Sequence, residues 1–394
     1  MIRFDEAQAL LQTVARPLGQ ERVALGQAAG RLLAEPVQAA IRAPAADVST
    51  MDGYAVRAAD VAEPPAMLKV VGEALPGSQP LAAAPPGRCV RIFTGAPVPA
   101  GLDRVIIQEQ VRREGDSIRI DGTVDESRYI RAAGSDFEIG DALVPAGRRL
   151  SPRAIVAAAA GDVGTVTVFT TPRLALLATG DELVAPGEAG RRPGAVPDSI
   201  SDALAAFAVQ WGATIVSQAR LPDDLTQLQP AAAAAVAAAD LVVVTGGASV
   251  GERDFAQAMF GNTLEPIFSK VAIKPGKPVW LARAGTTIIL GLPGNPTSAL
   301  VTARLFLAPL LSGLVGGDPA AALAWRQAPL GEPLGPTGPR ETFSRGRMEA
   351  GAARLLSNQD SGAQRTLADA DLLVRRAIDA PGYAAGAMVD VLDF

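Results

Sequence analysis

Leu241-Val-Val-Val244-Thr245-Gly246-Gly247 sets four aliphatic residues directly before a hydroxyl and two glycines. A short apolar run without polar alternation reads as a strand buried on both faces, and the glycines read as the turn that leaves it. Just upstream the chain is Ala-rich, and Asp240 separates the two textures. The most apolar stretch, Ala231 to Val244, is therefore a helix followed by a strand, and no membrane span is expected.

The same pattern recurs on either side. Arg173-Leu-Ala-Leu-Leu-Ala178 reads as a buried strand, Asp202 to Trp211 as a helix, and Ala213-Thr-Ile-Val216 as a strand. Asp224 to Ala239 reads as a helix started or interrupted near Pro230. After the central strand come a short helix at Asp254 to Phe260, a strand at Thr287-Ile-Ile-Leu290 and a long helix from Thr297 to Leu314. Such alternation argues for a parallel α/β sheet between Pro172 and about Gly317, with ligands beyond the carboxyl ends of its strands.

Elsewhere the texture changes. Residues 1 to about 40 read as helical framework, from Leu10, Leu11 and Val14 to Leu32 and Leu33. Pro44 to about Gly140 is β-rich, with runs such as Leu68 to Val71, Cys89 to Phe93 and Arg104 to Ile107 between Gly and Pro turns. Pro152 to Ala160 is a short helix. Gly316 to Gly338 reads as a Pro/Gly linker, and Arg340 to Phe394 as a small β domain.

Composition limits the chemistry. The chain has 394 residues, 48% hydrophobic and 20% charged, with a formal net charge of -5. It is long enough for several cored domains, and it lacks the broad cationic field that holds a nucleic acid. It has one cysteine, Cys89, and no histidine. That excludes an internal disulfide, a Cys/His zinc site, a Ser-His-Asp triad and imidazole acid-base work. What remains is carboxylates, hydroxyls, Lys, Arg and backbone dipoles, with any metal on hard oxygen ligands. Met1 to Glu6 shows neither a basic leader nor an apolar core of a signal, so a cytoplasmic protein is expected.

The basic residues are unevenly chosen. Of 36 Lys and Arg only four are lysine, and three of those fall in Lys270-Val-Ala-Ile-Lys274-Pro-Gly-Lys277. A lysine is a compact point charge that suits a narrow oxyanion pocket, whereas arginine presents a wide planar fork.

Three strand ends run into turns that suit anions. Leu177-Ala-Thr-Gly180-Asp181-Glu182 presents two carboxylates, although a capped turn with solvated acids reads equally well. Thr245-Gly246-Gly247-Ala-Ser249-Val-Gly251-Glu252-Arg253-Asp254 leaves backbone N-H groups unblocked before a helix start. In Gly291-Leu-Pro293-Gly294-Asn295-Pro296-Thr297-Ser298, Asn295 fits an N-cap and Pro296 the first helical position. In the β-rich part, Asp47 to Val56, Arg91 to Pro97 and Arg131 to Asp136 place acids and hydroxyls at further turns.

Taken in order, these motifs resemble the molybdopterin molybdenumtransferase family, the MoeA proteins and the E domain of gephyrin. The resemblance runs through Met51-Asp-Gly-Tyr-Ala-Val56, Thr94-Gly-Ala-Pro97, Gly134-Ser-Asp136, Thr179-Gly-Asp-Glu-Leu183, Gly246-Gly247 with Ser249 and Asp254, Ile273-Lys-Pro-Gly-Lys-Pro278 and Leu292-Pro-Gly-Asn-Pro296. It implies a multidomain α/β and β protein. The parts would be a helical linking domain from 1–42 plus 140–170, a β-rich insertion at 43–139, a molybdopterin-binding α/β domain at 171–316 and a C-terminal β-barrel at 317–394.

The resemblance further implies an enzyme that inserts molybdate into adenylylated molybdopterin and releases AMP, with Mg2+, as a cytoplasmic homodimer in transient contact with the molybdopterin adenylyltransferase. Asp52, Thr94 and Asp136 would come from the partner subunit's insertion. Glu182, Asp223 or Asp224, and Asp254 would line the α/β side, with Glu182 and Asp254 as metal ligands. Lys270, Lys274 and Lys277 would neutralise phosphate and molybdate. Gly246, Gly247, Ser249, Pro293, Gly294, Asn295 and Pro296 would bind substrate. Ser298 would help hold molybdate, and Arg340 with Ser361 or Thr366 would close that site.

Some positions depart from the family pattern. Ile200 in Asp198-Ser199-Ile200 stands where Asn is usual, and Leu102-Asp103-Arg104 and Ala368-Asp-Ala-Asp371 also differ. Rival readings are a nucleotide pyrophosphatase of the CinA type, which the long terminal matches oppose, a tungstate-selective paralogue, and a gephyrin-like scaffold. A pure scaffold has no need of clustered charge around a cleft.

Overall fold

The computed structural model describes residues 1–246 and 255–394. The chain folds as two compact units, one of Met1–Glu21, Gly30–Ala34 and Thr167–Phe394, the other of Arg22–Ala29 and Glu35–Val166.

The first unit is built on a six-stranded sheet in the order Thr214–Leu221, Arg173–Thr179, Leu241–Thr245, Thr287–Leu292, Trp280–Ala284, Leu264–Ser269. The first four strands are mutually parallel, as the alternation of strands and helices predicts. The last two extend the sheet as antiparallel strands, which the parallel pattern did not anticipate. Register fixes where the site lies. Ala178 stands opposite Thr245, and Thr245 opposite Leu292, so the turns at Gly180, Gly246 and Pro293 leave the sheet at one edge.

Alternate side chains of the central strands enter two cores. Leu174, Leu176, Leu241, Val243, Ile288 and Leu290 pack with helices Phe4–Val14 and Ser201–Gln210. Ala175, Leu177, Val242, Val244 and Ile289 pack under helix Leu225–Ala238 and against Met259 and Phe260. Burial on both faces is why these strands carry no polar alternation. Pro296–Leu314 is long and apolar enough to cross a membrane, yet its most apolar window is 89% buried inside the protein, so it is a core helix. Its middle turn, Ala303–Leu307, is a π-helical segment just before Pro309, whose missing N-H interrupts the regular ladder.

The expected linker holds a strand. Arg326–Pro329 pairs antiparallel with Met388–Asp393 as the end strand of the C-terminal sheet, a place where a terminal proline costs no ladder bond. That sheet runs Ile273–Lys274, Glu341–Glu349, Leu372–Arg376, Met388–Asp393, Arg326–Pro329, and Ala352–Leu355 pairs with Glu341–Glu349. A bridge between Leu330 and Ala353 joins its two sides into a barrel around Leu330, Leu372, Val374, Val389 and Val391.

The expectation of a helical N-terminal 40 residues fails. Phe4–Val14 is the α-helix there; Gln20–Ala24 and Val37–Gln38 are strands and Leu25–Gln27 a 3-10 turn. Pro17 and Gly19 end helical periodicity, and the polar run Gln20-Glu-Arg-Val-Ala24 carries no helical apolar stripe.

The second unit is β-rich as expected, with a six-stranded sheet in the order Arg104–Ile107, Gly53–Val56, Arg88–Ile92, Ala66–Ala74, Ser117–Ile120, Arg112–Glu114. Its two faces bury separate cores around Tyr54, Val56, Ile106 and Ile118, and around Ala55, Val90, Ile92 and Val105. Helix Pro152–Ala160 starts where expected, with Ser151 accepting from Ala154 N at 3.3 Å and Pro152 in the first turn.

Candidate active site

At the carboxyl edge of the parallel strands the three turns meet. Gly246 has φ +89, and a Cβ there would lie 2.2 Å from the Thr179 carbonyl oxygen. A Cβ on Gly294 would lie 3.0 Å from the Cα of Gly246. Backbone therefore packs on backbone, which is the physical reason for glycines at these two places.

These turns wall a cavity of about 480 Å³. Thr179, Gly180, Glu182, Asp198, Asp223, Thr245 and Gly246 line one side, Pro293, Gly294, Asn295, Pro296 and Ser298 the other, and Gln364 reaches it from the C-terminal part. Leu183, Val196, Pro197 and Ile200 add an apolar wall beside the polar strand ends. Ile200 thus gives the cavity an apolar lining residue.

The acids divide into distinct jobs. Asp224 caps helix Leu225–Ala238, accepting from Thr226 N at 2.9 Å and Thr226 Oγ1 at 2.7 Å, and these bonds with that from Gln227 hold its carboxyl below the usual range. Asp223, its neighbour, lines the cavity, and its N-H donates to Asp181 Oδ1 at 3.0 Å. Asp198 is buried, accepts from Ile200 N and Ser201 N at 3.2 and 3.0 Å, and faces Arg220 Nε at 3.6 Å. The Glu182 carboxylate folds over its strand end, since a Cβ on Gly180 would come within 2.9 Å of both its oxygens.

A second cavity, of about 650 Å³, shares Pro278 and Ser298 with the first. Lys274, Lys277 and Arg340 line it with Thr342, Ser344, Gln359, Asp360 and Ser361. The lysine window reaches the C-terminal barrel because Ile273–Lys274 pairs in parallel with Glu341–Glu349, Lys274 lying opposite Thr342. A Cβ on Gly276, at φ +100, would stand 2.2 Å from Thr302 Cγ2, so the loop between the two lysines lies tight against the core helix. Lys270 is exposed and lines neither cavity; its backbone, at φ +62, is held by Val279 and Ile2.

Asn295 occupies the N-cap position of the core helix, but its side chain makes no capping bond. Its Nδ2 donates instead to Ser361 Oγ at 3.2 Å, and its buried Oδ1 has no partner among the described residues. Thr366 lines neither cavity; its hydroxyl turns to the carbonyls of Ala363 and Asn358. Gly247, Ser249 and Asp254 lie outside the described residues.

Sequence reasoning missed Arg345. It is 1% exposed, and its Nη2 donates to the carbonyls of Asn358 and Asp360 at 3.1 and 3.0 Å. Gln359 closes the pair, accepting from Arg345 N at 3.0 Å and donating to its carbonyl at 2.8 Å. Burial lowers the guanidinium's pKa. This buried cation shapes the loop that carries Ser361, and nothing in the sequence marked it among many arginines.

In the second unit, Asp52 Oδ1 accepts from both the amide and the hydroxyl of Thr94 at 2.8 Å. Those two bonds, with a smaller contribution from Arg91, hold its carboxyl below the usual range. The loops bearing Thr94 and Asp136 are stitched to the segment before Asp52: Ser49 N donates to Ala96 O and Gly95 N to Ser49 O, while Ile130–Arg131 pairs with Val48–Ser49. Asp136 is exposed, its amide donating to Ala43 O at 3.0 Å. The three predicted residues thus sit on one backbone platform.

Among the described residues no group of three or more Asp, Glu, Cys or His comes together. Mg2+ keeps much of its water and takes one or two carboxylates plus substrate phosphates, so the single exposed Glu182 over a strand end is compatible with it.

Against known proteins, successive parts of the chain match the MoeA N-terminal region (domain I and II) at residues 2–161, a probable molybdopterin binding domain at 175–313 and the MoeA C-terminal region (domain IV) at 327–394. A molybdopterin molybdenumtransferase 2 from Mycobacterium tuberculosis is 32% identical over 408 residues, covering 100% of both chains. The chain belongs to the molybdopterin molybdenumtransferase family. A family member from Nostoc sp. is 39% identical over 75% of this chain and 70% of its own. A solved MoeA structure from Pyrococcus horikoshii superposes with TM-score 0.86 at 29% identity, covering 100% of this chain and 99% of that one. Like the molybdopterin molybdenumtransferases it matches, the chain is a transferase of molybdenum cofactor biosynthesis.

Proposed function

We propose that this transferase inserts molybdate into adenylylated molybdopterin and releases AMP. One observation carries the reading: two cavities, one at glycine-rich strand ends and one bearing Lys274, Lys277 and Arg340, meet at Pro278 and Ser298. Adenylylated pterin takes the first, its phosphates near the turn amides at Gly246 and the helix start at Pro296 to Ser298, and molybdate takes the second.

The physical problem is to bring two anions together. Two unit charges 4 Å apart repel by about 4 kcal/mol at an effective dielectric of 20. Fixed ammonium groups offset that repulsion before the substrates arrive, so no reorganisation is needed at the moment of reaction. Ser298, reachable from both sides, and Ser361, held by Asn295, add hydroxyl donors to the oxyanion. The pterin sulfurs replace oxygen ligands of molybdate, which leave as water, and water or a molybdate oxygen attacks the phosphoanhydride as AMP departs, so a nucleophilic side chain is not required.

Mg2+, with Glu182 and Asp254 as proposed ligands, supplies charge neutralisation at the phosphates when bound. In this reading the chain works as a cytoplasmic homodimer of four domains per subunit, with Asp52, Thr94 and Asp136 offered by the partner's β-rich insertion and adenylylated pterin received from the adenylyltransferase. The test is to incubate the purified protein with adenylylated molybdopterin and Mg2+, with and without molybdate or tungstate, and to measure AMP. Molybdate-stimulated release supports the reading, and release indifferent to either oxyanion refutes it.

A further inference from the structure

Arg91 has an unusually complete set of constraints for a half-buried arginine. It lies on strand Arg88–Ile92, whose antiparallel neighbour places Tyr54 opposite Arg91 and Gly53 opposite Ile92. Its guanidinium carbon is 5.0 Å from the Tyr54 ring centre and 4.9 Å from that of Phe93. Two aromatic faces thus hold one flat cation. Nη1 donates to Gly53 O at 3.2 Å and Nη2 to Gln108 Oε1 at 2.7 Å.

Both bonds lead to Asp52. Gly53 is the next residue, and Gln108 N donates to the Asp52 carbonyl at 3.1 Å. The peptide has little room to shift, because a Cβ on Gly53 would fall 2.0 Å from Ile106 O. Phe93, one of the two rings, immediately precedes Thr94, whose amide and hydroxyl hold the Asp52 carboxylate. One guanidinium therefore touches the chain beside both members of the pair.

We propose that Arg91 is the positioning residue of the Asp52 and Thr94 pair, fixing the aim of the Asp52 carboxylate through the backbone of Gly53, the side chain of Gln108 and the ring of Phe93. The inference rests on the reading of Asp52 as part of the reacting site. It depends on the planar fork of arginine, which a lysine cannot reproduce. A carboxylate misplaced by about 1 Å costs on the order of 100-fold in rate without weakening substrate binding in proportion.

The experiment compares Arg91→Met, Arg91→Lys and Asp52→Asn in full-length protein labelled with 15N-threonine, reading the Thr94 amide resonance and molybdate-dependent AMP release. Both Arg91 variants are expected to displace the Thr94 resonance and to lower kcat by about 10-fold or more, with KM for adenylylated pterin within about 3-fold. Arg91→Lys keeps the charge and the stem, so it decides the matter if Arg91→Met does not fold. Should Asp52→Asn lower kcat while Arg91→Lys leaves both kcat and the Thr94 resonance unchanged, the positioning role is overturned and the reading of Asp52 stands. Should Asp52→Asn itself retain full activity, the reading of Asp52 falls, and the inference falls with it.

Discussion

Asn295 Nδ2 donates to Ser361 Oγ at 3.2 Å, joining the helix start beyond the last parallel strand to the barrel loop across 66 positions of sequence. The asparagine forgoes the capping bond its position offers, so its side chain is free to tie the two cavity walls. A neutral hydrogen bond of this kind contributes about 1 kcal/mol, roughly 5-fold in an equilibrium constant. Asn295→Ala and Ser361→Ala are each expected to raise the molybdate concentration for half-maximal AMP release by about that factor or more. The double variant is expected to lose little beyond either single, the non-additivity that a double-mutant cycle reads for a shared contact.

Gly246 allows no side chain. Gly246→Ala forces a Cβ to within 2.2 Å of the Thr179 carbonyl at φ +89. Backbone strain of this type costs about 1–3 kcal/mol. A fall in the midpoint of thermal unfolding, together with weaker binding of adenylylated pterin by calorimetry, is the expected outcome.

Asp52 titrates low because Thr94 donates to its charged form. A folded pKa below the unfolded one means that the carboxylate's stabilising bonds are present above the unfolded value and are lost as pH falls through the folded value. Thr94→Val removes the hydroxyl donor and keeps the amide, so the Asp52 carboxyl should titrate closer to the ordinary carboxylate range. A 13C-carboxyl titration of the parent and the variant reads that upward move.

Cys89 is fully buried, and burial pushes its thiol up to about 12. At pH 8 it is a protonated thiol in the native protein, and the thiolate is the reactive form. Labelling by a disulfide reagent is expected to be at least ~100-fold slower in native protein than in denatured protein, measured as the rate of chromophore release.

The parallel strands were legible because Leu174 to Ala178, Leu241 to Val244 and Ile288 to Leu290 are buried on both faces, which leaves an unbroken apolar run in the sequence. The strand ends followed from the glycines and prolines at Gly180, Gly246 and Pro293. Gln20–Ala24 was not legible, since its strand state leaves only Val23 partly covered and its other residues exposed. Arg326–Pro329 was hidden by Pro329 and by the prolines and glycines that follow it, and a proline's effect at the end of an end strand is small.

Within the site, the clustering of Lys274 and Lys277 was visible in the bias of lysine over arginine. Their meeting with Arg340 was not, because a two-residue pairing of Ile273–Lys274 with Glu341–Glu349 leaves no local pattern. Asp223 and Asp224 could not be separated from sequence, since capping is decided by the helix start at Leu225. The buried Arg345 likewise depends on tertiary carbonyls 13 and 15 residues away.

The most direct test is the molybdate dependence of AMP release from adenylylated molybdopterin by Lys274→Ala and Lys277→Ala proteins beside the parent. The account predicts that each substitution lowers molybdate-stimulated release by about 10-fold or more, the range expected when a fixed charge is removed from a developing or bound anion. Unchanged molybdate response in both variants would contradict it, because the second cavity would then hold no oxyanion that needs those ammonium groups.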